Sequence, residues 1–259
     1  MTESRGHKAR GGTSSDKTLS VMDLFTPENP EWTVEAAASA LCQSESTVYR
    51  YFRSLAAAGL VFSIRPGRYL LGPGIVHYDR QLRTTDPLLR AAEPTFTALS
   101  SEHPGPGTVF ISRIYREHVM AMHEHHLGSD RLREGTFARG RLAPLFAGPP
   151  ALAILAFLEV RAVRAMFQKA SLDDSRWLDI KRQMRAIRTA GYAASNDDPD
   201  PGVLLISVPL KQDDGGIAGS LSLALPTTPD NVAAAANLGI RLAAAADEMA
   251  SRILSATTD

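Results

Sequence analysis

The stretch from Thr33 to Leu71, TVEAAASALCQSESTVYRYFRSLAAAGLVFSIRPGRYLL, constrains this chain more than any other. Its polar and apolar residues alternate as helix, turn, helix and a two-stranded hairpin. The Thr33 hydroxyl is placed to cap a first helix. Val34, Ala37, Ala38 and Leu41 recur at helical spacing and form its buried stripe. Cys42-Gln43-Ser44 is the turn, with Cys42 a small buried packing residue at the helix boundary. Ser44 caps a second helix that runs to about Ala58. Val48, Phe52 and Leu55 lie on one side of it, at the i, i+4, i+7 spacing of a core face. Gly59 suits the helix end, and Leu60 packs back. Leu60 to Ile64 predicts a strand, Arg65-Pro66-Gly67-Arg68 a turn, and Tyr69 to Leu71 the return strand.

A helix-turn-helix followed by such a wing lays its second helix in the major groove of DNA. Away from Val48, Phe52 and Leu55 stand Ser46, Arg50 and Arg53, with Tyr49 beside them and Thr47 on the flank. Arg50 and Arg53 have the reach for guanine O6/N7 or for phosphates. Tyr49, Thr47 and Ser46 suit phosphate or a thymine methyl, and Ser44 at the helix start completes the set. Arg65 and Arg68 flank the wing tip, where a side chain meets a phosphate or the minor groove. An Arg-x-x-Arg pair alone would be an ordinary solvated face; the surrounding pattern gives it meaning. Glu45 suits a helix N-terminus but repels phosphate.

The charge balance looks wrong for such a role: 28 Lys/Arg against 28 Asp/Glu. Residues 1–83 hold ten Lys/Arg and eight Asp/Glu, so the basic character is local to one helix and the wing tip. Weak non-specific binding and a strong dependence on dimer geometry follow. The single cysteine excludes an internal disulfide and fits a reducing cytoplasm. Residues 1–17 are rich in Gly, Ser, Arg and Lys, with no apolar run for a signal peptide, and read as a disordered tail. Leu142 to Leu158 is apolar, but Gly148, Pro149 and Pro150 interrupt it, and it falls short of the roughly 20 residues a membrane span needs.

After the wing, 73–84 predicts a short helix and Pro87 opens a longer one through Ser101. Leu88, Leu89, Ala92, Phe96 and Leu99 are its apolar positions, read as dimer contacts near Leu88 to Leu99. His103-Pro104-Gly105-Pro106-Gly107 breaks the chain. Thr108 to Arg113 and Val119 to His123 alternate as antiparallel strands, and 152–167 and 177–190 read as single helices. A strand follows Gly191-Tyr192, and Asp197 to Gly202 is a loop. Val203 to Leu210 and Ile217 to Leu225 form a hairpin around Asp213-Asp214-Gly215-Gly216, before a long Ala-rich helix at 232–255. The fold class is α/β (α+β), with domains at 18–83 and 103–259 joined by a connector at 84–102.

Residues 18–83 resemble the DNA-binding half of the IclR family of transcriptional regulators. The resemblance rests on Val21-Met22-Asp23-Leu24-Phe25, on Ser46-Thr47-Val48-Tyr49-Arg50-Tyr51-Phe52-Arg53-Ser54-Leu55, on Gly59-Leu60-Val61 and on Gly67-Arg68-Tyr69-Leu70-Leu71-Gly72. It continues in order, though weakly, to the C-terminus. It implies a homodimeric regulator, or a tetramer, that binds double-stranded operator DNA through a winged helix. It further implies a GAF-like C-terminal domain that binds a small-molecule effector; no cofactor and no catalysis are expected.

Four segments resemble the family's pocket. They are Gly140 to Leu145, which includes Leu142 and Leu145; the Ala147-Gly148-Pro149-Pro150 run; the loop around Ser195 and Asn196 with Leu205; and Ser222 with Ala224. Carboxylate-binding members offer backbone N–H groups where this chain has Pro149 and Pro150, which have none. Leu205 and Ala224 stand where such members carry polar side chains, and a family acid near Ser195 and Asn196 is absent at the matching places. These departures predict an apolar or aromatic effector, or an occluded pocket; these positions are equally compatible with plain core. Arg113, Arg139 or Arg141 would rescue an acid by pointing inward.

His118 and His123-Glu124-His125-His126 raise a metal reading, with His123 and His125 on one strand face and His126 on the other. No third ligand is fixed by the sequence, and an exposed strand-end cluster fits better. The alternatives to a regulator are a small-molecule-binding enzyme and a helix-turn-helix used for protein contact. The chain holds no Gly-x-Ser-x-Gly, no phosphate loop and no His-Glu-x-x-His.

Overall fold

A computed structural model of the chain describes residues 13–103, 105–129, 132 and 135–257, with side chains to Ile253. It divides into two compact units, Met1–Thr84 and Thr85–Asp259. Among the described residues no helix is long and apolar enough to cross a membrane.

The first unit begins with α1 (Ser14–Leu19) and a 3-10 turn (Ser20–Leu24). Thr13 and Asp16 cap α1 reciprocally, with backbone-to-side-chain bonds of 2.8 and 3.3 Å. The expected tail is thus helical from Ser14, while residues 1–12 lie outside the described part. Next come β1 (Trp32–Thr33), α2 (Val34–Leu41), α3 (Glu45–Ala57), β2 (Val61–Arg65), β3 (Arg68–Leu71) and α4 (Gly74–Thr85). The three strands form a small antiparallel sheet in the order β1-β3-β2. Val21, Ala37, Val48, Phe52, Leu55 and Val61 make its core.

The second unit runs α5 (Pro87–Glu102), β4 (Gly107–Tyr115), β5 (His118–Leu127), β6 (Leu142–Pro144), α6 (Pro149–Leu155), α7 (Val160–Lys169) and α8 (Ser175–Ala190). It finishes with β7 (Ala193–Asn196), β8 (Val203–Lys211), β9 (Ile217–Pro226) and α9 (Pro229–Thr257). Its six strands form one antiparallel sheet in the order β6-β5-β4-β9-β8-β7.

Strand alternation gives this sheet two different faces. One carries Val109, Ile111, Ile206, Val208, Leu221 and Leu223, buried under α5 and α9. On the other, Leu205 pairs with Ala224, Ser207 with Ser222, and Ser112 with Ser220. Ala151 and Ile154 of α6 pack on that face beside Phe110, Leu205 and Ala224.

Three expectations need correction. Leu88, Leu89, Ala92, Phe96 and Leu99 are at most 4% exposed in a single chain, and most of them pack against the sheet and α9. Periodicity reveals a buried face but not its partner, and here the partner lies in the same unit rather than in a second copy. The helix expected over 152–167 is two helices, broken at 156–159. Both feed the same core cluster through Leu155, Val163 and Phe167, so the apolar pattern runs across the break without a glycine or proline to mark it. Cys42 is exposed, because it ends α2 in a left-handed conformation (φ 52°) that turns it out of the core.

Phe96 is fully buried between α5 and the sheet. Phe96→Ala should lower the unfolding free energy by about 3–5 kcal/mol through the cavity it leaves. Urea denaturation of the full chain measures this, and a loss below about 1 kcal/mol would contradict the packing described.

Candidate DNA-binding surface and ligand cavity

The Ser44 side chain accepts the Thr47 N–H at 3.3 Å and so starts α3. Its hydroxyl also lies 2.8 Å from Thr47 Oγ1 and 3.2 Å from Ser46 Oγ, which ties three candidate residues into one cap. Val48, Phe52 and Leu55 are buried, as their spacing predicts; Tyr51, which the sequence reading left unassigned, joins them. Ser46, Tyr49, Arg50 and Arg53 are exposed on the remaining face, and Thr47 is half-buried. Arg50, Arg53 and Arg65 form no ion pair among the described residues, so three guanidinium groups stand unpaired on α3 and β2.

Arg68 differs. It forms an ion pair with Glu31, whose hydrogen bond and charge raise the guanidinium's pKa above its ordinary value. The wing therefore presents Arg65 as its unpaired cation, while Arg68 ties β3 to the chain before β1.

The wing is fixed to α3 by aromatic packing. Tyr69 of β3 stacks on Phe52 at 4.3 Å between ring centroids, and Phe25 meets Phe52 edge-on at 6.5 Å. Each such pair contributes about 0.5–1.5 kcal/mol beyond its area burial. At the base of the wing, Gly72 crosses the end of α3 so closely that a Cβ on it would lie 2.2 Å from the Gly59 carbonyl oxygen.

In the second unit a cavity of about 60 Å³ lies on the α6 side of the sheet. Thr108 and Phe110 of β4, Glu124 and His126 of β5, Leu205 of β8 and Ala224 of β9 line it, and loop residues Phe137 and Asp200 close it. Ordinary ligand pockets run to roughly 300–1,000 Å³, so this one is close to the occluded state. Phe137 causes much of the closure. Its ring lies over Gly148, where a Cβ would come within 2.6 Å, and runs nearly parallel to Phe110 at 6.3 Å.

Of the nine residues expected at the effector site, Leu205 and Ala224 line this cavity. Leu142 is exposed on β6, and Leu145 packs in the α6–α8 core. Pro149 and Pro150 are buried as the first residues of α6, where their missing N–H groups break no helical bond. Ser195 donates to the Asp198 carbonyl at 2.5 Å, and Asn196 is exposed. Ser222 shares a 2.8 Å hydrogen bond with Ser207 beneath α6.

The polar lining was missed. Glu124 lies opposite Phe110, and His126 opposite Thr108, across the β4–β5 pair. The alternation that put His126 on the face away from His123 and His125 was legible, and it extends to Glu124. His123 and His125 instead pack on Phe96, with centroids 5.3 and 6.2 Å away. Among the described residues no three His, Cys, Asp or Glu side chains converge as a metal site. Asp200 accepts the Thr136 N–H at 2.9 and 3.0 Å and its hydroxyl at 2.8 Å, a contact between distant loops that no local pattern announces. None of the three candidate arginines lines the cavity. Arg113 pairs with Asp86 and donates to the Ala218 carbonyl, Arg139 donates through Nε to Met122 O at 2.9 Å, and Arg141 donates to Gly135 O at 3.2 Å.

Comparison with known proteins places this geometry. Residues 14–62 match the family model of the IclR helix-turn-helix domain. A comparison with curated protein sequences gives no match. Among solved structures, the chain superposes on an IclR-type protein from Silicibacter sp. with a TM-score of 0.75 at 21% identity, over 93% of this chain and 96% of that one. An IclR family transcriptional regulator from Brucella abortus gives 0.73 at 18% identity, over 99% and 96%. An IclR homologue from Microbacterium hydrocarbonoxydans, complexed with 4-hydroxybenzoate, gives 0.73 at 15% identity, over 94% and 100%. Residues 14–62 thus match the IclR helix-turn-helix family model, and the chain over nearly its full length has the fold of the IclR transcriptional regulators it superposes on.

Proposed function

We propose that this protein is a sequence-specific DNA-binding transcriptional regulator of the IclR type, controlled by a small molecule bound in its second unit. The observation that carries the reading is the exposed face of α3, where Arg50 and Arg53 stand unpaired beside Ser46 and Tyr49 within an IclR helix-turn-helix. In the complex, α3 lies in the major groove. Arg50 and Arg53 contact base edges or phosphates, Tyr49, Ser46 and Thr47 support them, and Arg65 reaches the backbone from the wing. Ser44 acts mainly as the cap, and Arg68 mainly through its pair with Glu31. The protein works in the cytoplasm, and the reading assigns it no catalytic step.

Two half-sites require two copies of α3, and so a homodimer. With the α5 residues buried within their own unit, the candidate contact moves to α4. There Ile75, Val76, Tyr78 and Leu82 are exposed, Val76 by 71%. The effector site is the cavity beside Phe110 and Phe137. The Microbacterium structure holds a small aromatic ligand, and the Phe110, Phe137, Leu205 and Ala224 walls suit an aromatic or apolar body. Effector binding then shifts the placement of the paired winged helices and changes operator affinity.

Arg50→Ala should weaken specific operator binding by about 1–3 kcal/mol per half-site while leaving the circular dichroism spectrum unchanged. Fluorescence anisotropy with a labelled duplex measures it, and wild-type affinity and specificity in the variant would remove Arg50 from the interface. Val76→Glu should shift sedimentation from dimer towards folded monomer at micromolar concentration. An unchanged dimer would place the contact elsewhere.

A further inference from the structure

We infer that the cavity selects a cationic ligand, an ammonium or amidinium group on an apolar or aromatic body, and that Glu124 and Asp200 receive its charge. The inference rests on the effector reading of the same cavity and names the ligand class.

The polar side chains of the lining are Thr108, Glu124, His126 and Asp200, and two of the four are carboxylates. Glu124 and Asp200 both face the cavity, and among the described residues no lysine or arginine pairs with either carboxylate. The hydrogen bonds to Asp200 come from the uncharged Thr136. Glu124 accepts the Arg139 backbone N–H through Oε2 at 3.0 Å, and its Oε1 lies 4.0 Å from His126 Nε2. Among the described residues, two carboxylates therefore line one small cavity with no lysine or arginine paired to either.

An anionic ligand meets two obstacles there. It approaches two like charges in a space partly screened from water. It also finds none of Arg113, Arg139 and Arg141 among the lining residues. A cation reverses each term. Its N–H groups satisfy the free carboxylate lone pairs with charge-assisted hydrogen bonds. The nearly parallel rings of Phe110 and Phe137 present faces that attract positive charge. A divalent metal is the poorer fit, since among the described residues no three ligating side chains converge.

Benzamidine, benzamide and benzoate share a planar shape and differ in charge, so they isolate this preference. Binding to the full chain is measured by calorimetry at pH 8, where an ordinary imidazole is uncharged. The same series is run on Phe137→Ala, which removes one wall and prevents a closed cavity from hiding the preference. Benzamidine should bind at least tenfold more tightly than benzoate, with benzamide between them. Glu124→Gln and Asp200→Asn should each reduce benzamidine affinity about tenfold more than they reduce benzamide affinity. Tighter binding of benzoate, or benzamidine binding insensitive to both variants, overturns the cationic class and leaves the effector reading standing. No binding of any of the three, in wild type or Phe137→Ala, overturns both.

Discussion

The alternation of side chains along β4, β8 and β9 is the constraint on which the second unit depends. Every second residue is a large aliphatic group that must leave water under α5 and α9. That requirement fixes the register, since a slip of one residue would turn the whole apolar set outwards. It also fixes what the opposite face can carry. Ser112, Ser207, Ser220 and Ser222 are fully buried there, small enough for α6 to lie against the strands. Phe110, Leu205 and Ala224 sit farther along the same face, where the covering becomes loop, and there the cavity opens. The ligand site is thus the far side of the core, built from what the first face leaves over.

The first unit solves a different problem: holding a short helix and a hairpin in one geometry with a small core. Phe52 does most of this. It is fully buried, stacks on Tyr69 of the wing and meets Phe25 at its edge. Trp32 adds a tie, its indole N–H donating to the Leu24 carbonyl at 2.8 Å. Because apolar and aromatic groups carry this packing, the arginines of α3 are not needed for it. They are left unpaired, with their donors available to an outside acceptor.

How much of this the sequence disclosed depended on the range of the interaction. Thr33 and Ser44 as caps, the buried stripe of Val48, Phe52 and Leu55, and the wing turn at Arg65 to Arg68 were all legible, because each is decided within a few residues. The pairing of Arg68 with Glu31 was not, since it joins residues far apart in the chain. The α5 stripe showed that a face is buried without showing that α9 and the sheet bury it. The cavity was least legible. Leu205 and Ala224 were found through resemblance, whereas Glu124 becomes a lining residue only through the β4–β5 register. Asp200 becomes one only because its carboxylate reaches Thr136 across two loops. Leu145 and Ser222, matched to the family's pocket by resemblance, lie outside this cavity: Leu145 packs in the α6–α8 core, and Ser222 bonds Ser207 beneath α6.

The central claim is that the unpaired arginine face of α3 reads DNA sequence. Selecting the full-length chain against a pool of random-sequence duplexes tests it most directly. The account predicts enrichment of two related half-sites in fixed spacing, bound with an affinity that falls steeply as salt rises. A pool that stays random after repeated rounds, with only weak and sequence-independent retention, would contradict it.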